Sequence, residues 1–208
     1  MSEITAITPQ IKDKTRCNIF IDGVFYCGLK LETTVKYRLK VGKTVDPAFL
    51  NEIQLESEKS TALDKALTHI SASQKTEKQI ADFLKKKGYL PATIEYVLEK
   101  MREYRFVDDA EYAARYAEQS AKKKGGRLIK MELRSKGIAE ESIEAAIGEI
   151  DGEEQLEAAK TILQKYLRGK EADALTLQKA YRHLLSKGFD YDTAKSAIEA
   201  FKTLDEYE

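Results

Sequence analysis

Residues 133–138 read "LRSKGI", and the phrase stands twice more, as "LKKKGY" at 84–89 and "LLSKGF" at 184–189. Its pattern is Leu, two variable residues, Lys, Gly and a large apolar residue. The three glycines, Gly88, Gly137 and Gly188, are 49 and 51 residues apart. Apolar positions around them stay in step. Leu84, Leu133 and Leu184 precede each Gly by four, Leu98, Ile147 and Ile198 follow by ten, and Leu63, Tyr112 and Leu163 precede by 25. Such agreement over a period near 50 residues marks a tandem repeat.

The phrase reads as a helix stop. Gly enters the left-handed conformation without a Cβ penalty and so ends a helix. The Lys before it (Lys87, Lys136, Lys187) meets the negative end of the helix dipole. The apolar residue after it folds back onto the last turn, where the repeated Leu lies. Gly88, Gly137 and Gly188 are therefore structural, and the repeat is a three-helix unit.

Working outward, the units are expected at 60–105, 106–151 and 152–208, the last including a short acidic tail. Ala62, Leu63, Ala66, Leu67 and Ile70 recur at three- and four-residue spacing and mark a buried helical face. Tyr112, Ala113, Tyr116 and Ala117 do the same in the second unit. Stacked repeats of this sort bury their cores mainly against neighbours and give an elongated, curved body.

The first 59 residues differ. "CNIFIDGVFYCGL" sets Asp22-Gly23 between two β-rich runs, the signature of a hairpin with a type I′ turn. The stretch 4–11 adds a third strand, placed at the edge because Pro9 lacks an N–H. A short helix is expected at Glu32–Arg38 and another from Asp46-Pro47, with Asp46 as N-cap. The fold class is thus mainly α: tandem three-helix repeats behind a small α+β module containing a β-hairpin.

Bulk properties exclude more than they select. Lys plus Arg and Asp plus Glu both number 35, so the net charge is zero. Any case for a polyanionic partner must rest on local segregation. No apolar run reaches the roughly 20 residues of a membrane span. The first ten residues lack the basic head and apolar stretch of a secretory signal. Cys17 and Cys27 have neither metal-ligand nor redox spacing and read as reduced packing residues. The expectation is a cytoplasmic protein.

Catalytic patterns are missing. Asp108 and Asp109 in "FVDDAEYA" could be taken for a metal or acid–base pair, but Asp108 with Glu111 three residues later has the spacing of a capping box. His69 and His183 are isolated, and no phosphate-cradling loop with its Lys is present. Asp108 is read as an N-cap, and no enzyme activity, cofactor or metal is expected.

Charge is nevertheless segregated. Residues 122–136 hold seven bases and one acid, a net of +6, whereas 140–157 hold eight acids and no base. Arg127, Lys130 and Arg134 share one helical face, while Ile129 and Leu133 turn to the core. Gly125-Gly126 would set free helix amides beside Lys122, Lys123 and Lys124, an expected anion site. These six bases are the candidate contacts to phosphate or to an acidic protein surface.

The segments "ALDKAL" (62–67), "IADFLKKKGY" (80–89), "FVDDAEYA" (106–113) and "GGRLIKMELRSKGI" (125–138) resemble the RecX family, the bacterial regulators of the RecA recombinase. Order and spacing carry the resemblance, most specifically the Gly-rich basic turn before a helix ending in Lys-Gly-Ile. It implies a non-enzymatic modulator that lies in the groove of RecA filaments on single-stranded DNA and inhibits filament growth, ATP turnover and strand exchange in recombinational repair and the SOS response. A monomer is expected, with Lys122, Lys123, Lys124, Arg127, Lys130 and Arg134 facing filament or DNA. The N-terminal module either caps the first repeat or adds contact surface. The competing reading is a repeat protein that binds single- or double-stranded DNA directly, independent of RecA.

Overall fold

The structure, a computed structural model, describes residues 2–205, with side chains to 203; the last residues of the expected acidic tail lie outside the described residues. Two compact units divide the chain, Met1–Asp108 and Asp109–Glu208.

In the first unit four antiparallel strands, β1 (Ser2–Pro9), β2 (Arg16–Ile21), β3 (Val24–Lys30) and β4 (Thr44–Val45), form a sheet in the order β3-β2-β1-β4. The hairpin turn is as expected: Asp22 and Gly23 both have positive φ, 49° and 82°. The stretch expected at the edge is corrected. β1 is flanked by β2 and, at Ser2 and Glu3 alone, by β4. Pro9, paired with Cys17, lies beyond the reach of β4, where its missing N–H costs nothing. β4 has two residues and carries too little pattern to be read from sequence.

The short helix α1 runs Leu31–Lys36, and α2 runs Pro47–Ser71 with Asp46 accepting from the Ala48 amide at 2.9 Å. At 25 residues, α2 crosses the boundary expected at 59/60 without a break. Its first half packs Leu50 and Ile53 on the sheet, and its second half packs Ala62 and Ala66 in the first repeat. One helix therefore serves two cores, and the sheet module is not a separate body.

The first repeat is completed by α3 (Glu77–Lys86) and α4 (Pro91–Glu103). Thr76 and Gln79 cap α3 reciprocally, side chain to backbone, in a capping box. The second unit holds the other two repeats: α5 (Asp109–Ala121), α6 (Gly126–Ser135) and α7 (Glu140–Gly148), then α8 (Gly152–Leu167), α9 (Ala174–Ser186) and α10 (Tyr191–Asp205). Asp108 stands one residue before α5, the N-cap position. Each repeat encloses a core of its own, such as Ala113, Ala117, Ile129, Leu133 and Ile143 in the second. Burial mainly against neighbours, the expectation above, is thus corrected. Alanines on the first helix of each repeat let the other two approach closely enough to close a small core.

The three stops share one geometry. Gly88, Gly137 and Gly188 have φ of 84°, 86° and 90°. Tyr89, Ile138 and Phe189 donate their amides to Leu84, Leu133 and Leu184 at 3.2, 3.2 and 3.3 Å, and each glycine amide reaches the carbonyl three residues back. This is the Schellman arrangement, with the apolar residue after Gly buried against the last turn.

Two of these glycines also dock. Gly28 on β3 donates to the Gly88 carbonyl at 2.8 Å, and a Cβ on Gly88 would stand 2.7 Å from the Gly28 nitrogen. The buried Gln54 side chain donates to both carbonyls, at 2.6 and 2.9 Å. In the second unit Gly188 meets the start of α6 in the same manner, with backbone against backbone.

Candidate functional site

The six candidate bases fall in the turn after α5 and along α6. At the start of α6 the expected anion site is corrected. The Gly125 amide donates to the Lys187 carbonyl at 2.9 Å and the Arg127 amide to the Gly188 carbonyl at 3.1 Å. These two amides are spent on the third repeat's helix stop and not on an anion, and a Cβ on Gly125 would stand 2.1 Å from the Phe189 nitrogen. Gly125 serves packing.

The structure sorts the bases into two sets. Lys124, Lys130 and Arg134 are matched by acids. The Lys124 ammonium lies 2.6 and 2.7 Å from the two Glu132 oxygens, and Glu132 also accepts from the Tyr116 hydroxyl at 2.7 Å. Arg134 grips Glu140 through Nε at 2.8 Å and Nη2 at 2.6 Å. Lys130 reaches Glu140 at 3.0 Å and also bonds Glu144. Hydrogen bonds from Arg134 and Lys130 hold the Glu140 carboxyl down at about 2. Donating to Glu144 and Glu140 pushes the Lys130 ammonium up.

Lys122, Lys123 and Arg127 make no ion pair among the described residues, and all three are exposed. The Arg127 guanidinium instead lies over the Tyr191 ring, 4.7 Å from its centroid, and Tyr191 at the start of α10 is 58% exposed. Cation–π contact fixes the guanidinium while leaving its outer face in water. Tyr191 escaped sequence reasoning because nothing in its local pattern announces a partner 64 positions upstream.

The other sequence candidates are structural. His69 stacks on Phe83 with ring centroids 4.0 Å apart, and His183 on Tyr166 at 4.7 Å. Burial, then nearby lysines, pushes both imidazoles down. Among the described residues no group of three or more His, Cys, Asp or Glu could hold a metal, and no helix is long and apolar enough to cross a membrane.

The family model described as the regulatory protein RecX N-terminal domain matches residues 2–46, and the first, second and third three-helix domains of RecX match 62–101, 108–147 and 153–198. The chain belongs to the RecX family. The regulatory protein RecX of Clostridium botulinum (strain Alaska E43 / Type E3) is 32% identical over 212 residues, covering 100% of both chains. That of Listeria monocytogenes is 35% identical over 208 residues, 98% of this chain and 77% of its relative. A crystal structure of regulatory protein RecX is similar, with a TM-score of 0.65 and 28% identity over 96% of this chain and 100% of that one. RecX from Lactobacillus salivarius has the same TM-score at 25% identity, over 70% of this chain and 97% of its own. The first half of α2 lies between the RecX N-terminal and first three-helix matches, the stretch where one helix joins two cores.

Proposed function

We propose that this chain regulates the RecA recombinase, binding its filament on single-stranded DNA and restraining filament growth, ATP hydrolysis and strand exchange during recombinational repair and the SOS response. Membership of the RecX family along almost the whole chain carries the reading, since the relatives are regulatory proteins by name. The chain acts as a monomer in the cytoplasm and catalyses no reaction of its own. Contact is made by the basic turn and α6: Lys122, Lys123 and Arg127 first, with Lys124, Lys130 and Arg134 behind them. Exposed, unmatched cations supply attraction that salt weakens.

Titration into RecA filaments on single-stranded DNA, with ATP hydrolysis as readout, tests this. Inhibition is expected at near-stoichiometric amounts. Changing Lys122, Lys123 and Arg127 together to Ala should weaken it about tenfold and flatten its salt dependence. No effect of the parent protein on hydrolysis would sink the reading.

A further inference from the structure

We propose that the α6–α7 ion pairs form a latent phosphate-binding face, in which Glu140 and Glu144 occupy the positions taken by successive phosphates of a single-stranded nucleic acid when it binds. The proposal rests on the reading of α6 as a contact face and adds how that face is kept closed.

The geometry is that of an occupied anion site. Arg134 offers Glu140 two parallel bonds, at 2.8 and 2.6 Å, the fork that a guanidinium presents equally to phosphate. Lys130 stands between Glu140 and Glu144. The bases are four residues apart on α6 and the acids four apart on α7, so two charges repeat at one helical turn on each side. A polymer with regularly spaced anions can replace both carboxylates together.

Displacement leaves the fold intact. Lys130, Arg134, Glu140 and Glu144 keep side-chain exposures of 26, 53, 46 and 57%, and ion pairs this exposed add little to stability. The helices are joined through Ile129, Leu133 and Ile143, all fully buried. Because Glu140 stays ionised far into acid, a competing anion, not protonation, opens the face.

Nucleic acid is favoured over an acidic protein by the neighbouring end of α6. There the unmatched Lys122, Lys123 and Arg127 give a strand its first electrostatic hold, and the exposed Tyr191 ring offers a stacking surface.

The test compares Glu140→Gln/Glu144→Gln with Glu141→Gln/Glu149→Gln, which changes net charge equally but touches no ion pair among the described residues. Each full-length protein is titrated onto a fluorescent oligothymidylate without RecA, across a salt series. The first variant should bind about tenfold tighter, with a salt slope steeper by about 1.4 from two more neutralised phosphates. The control should move less than about twofold. Equal tightening by both variants reduces the effect to net charge and overturns the proposal. Tighter binding to RecA filaments with unchanged oligonucleotide affinity also overturns it, in favour of an acidic protein surface. Neither result depends on whether the parent inhibits RecA, so the two readings fail separately.

Discussion

Arg16 on β2 and Glu58 on α2 form an ion pair sealed from water, with side-chain exposures of 3% and 0%. The Tyr89 hydroxyl lies 3.5 Å from the guanidinium, whose carbon stands 5.1 Å from the ring centroid. One helix stop, one strand and the long helix thus meet at a single buried charge pair. Among the described residues Arg16 Nη2 and Glu58 Oε1 find no hydrogen-bond partner, so the pair is imperfectly compensated.

Removing one partner should hurt more than removing both. Arg16→Met strands a buried carboxylate and should cost about 3–5 kcal/mol, whereas Arg16→Met with Glu58→Met should fall within about 1 kcal/mol of the parent or above it. Urea unfolding of the four proteins of this cycle gives the coupling. Burial pushes the Glu58 carboxyl up, against the pull of Arg16. Without Arg16 that push is opposed only by the weaker pull of Lys30, so the folded chain holds a proton that the unfolded chain has lost. The single variant should then recover stability as pH falls through the raised value. Equal losses at pH 5 and pH 8 would contradict this.

Two left-handed glycines should respond differently to the same change. Gly169, at φ 73°, has none of the described residues within 4 Å of an added Cβ, whereas a Cβ on Gly188 would stand 2.4 Å from the Leu128 backbone nitrogen. Gly169→Ala should cost about 1 kcal/mol, the conformational penalty alone. Gly188→Ala adds the separation of two docked backbones and should cost at least twice as much. Thermal unfolding of both proteins checks the order.

Acid should loosen the α6–α7 contact late. Glu140 has a folded value of about 2 against an ordinary 4.5, so its ionised form is favoured by the fold. Its contribution is fully present above pH 4.5 and disappears as pH falls toward 2. The carboxyl chemical shift of Glu140, followed by NMR from pH 6 to 2, should keep its ionised value well below pH 4.5. A midpoint near 4.5 would argue that the pairs are not formed in solution.

Cys17 and Cys27 are both fully buried free thiols, and burial pushes Cys27 up to about 12. Only the thiolate reacts. A thiol reagent at pH 8 should therefore label neither residue in the native protein, and both once urea unfolds the first unit. Rapid labelling of the native chain would show that the sheet core opens locally.

Local grammar was legible in the sequence because it acts over a few residues. A glycine that must be left-handed, an Asp that caps Pro47, and the return of Leu84, Leu133 and Leu184 each report a constraint within one turn of helix. Repetition of that grammar specified three helical units, and Asp22-Gly23 specified the hairpin. The candidate bases were visible as a charge run for the same reason. Their state was not, because pairing depends on which helix faces which. Lys130 and Arg134 are matched by Glu140 and Glu144 through the packing of α6 on α7, while Arg127 is left to the ring of Tyr191. Likewise, the double glycine at 125–126 marked a helix start, yet only the arrival of Lys187 and Gly188 turned the Gly125 and Arg127 amides from an anion site into a backbone joint. Sequence determined where each helix begins and ends, through bonds between near neighbours. Tertiary structure decided which charges remain available, because Coulomb attraction and close packing act between residues that the chain keeps far apart.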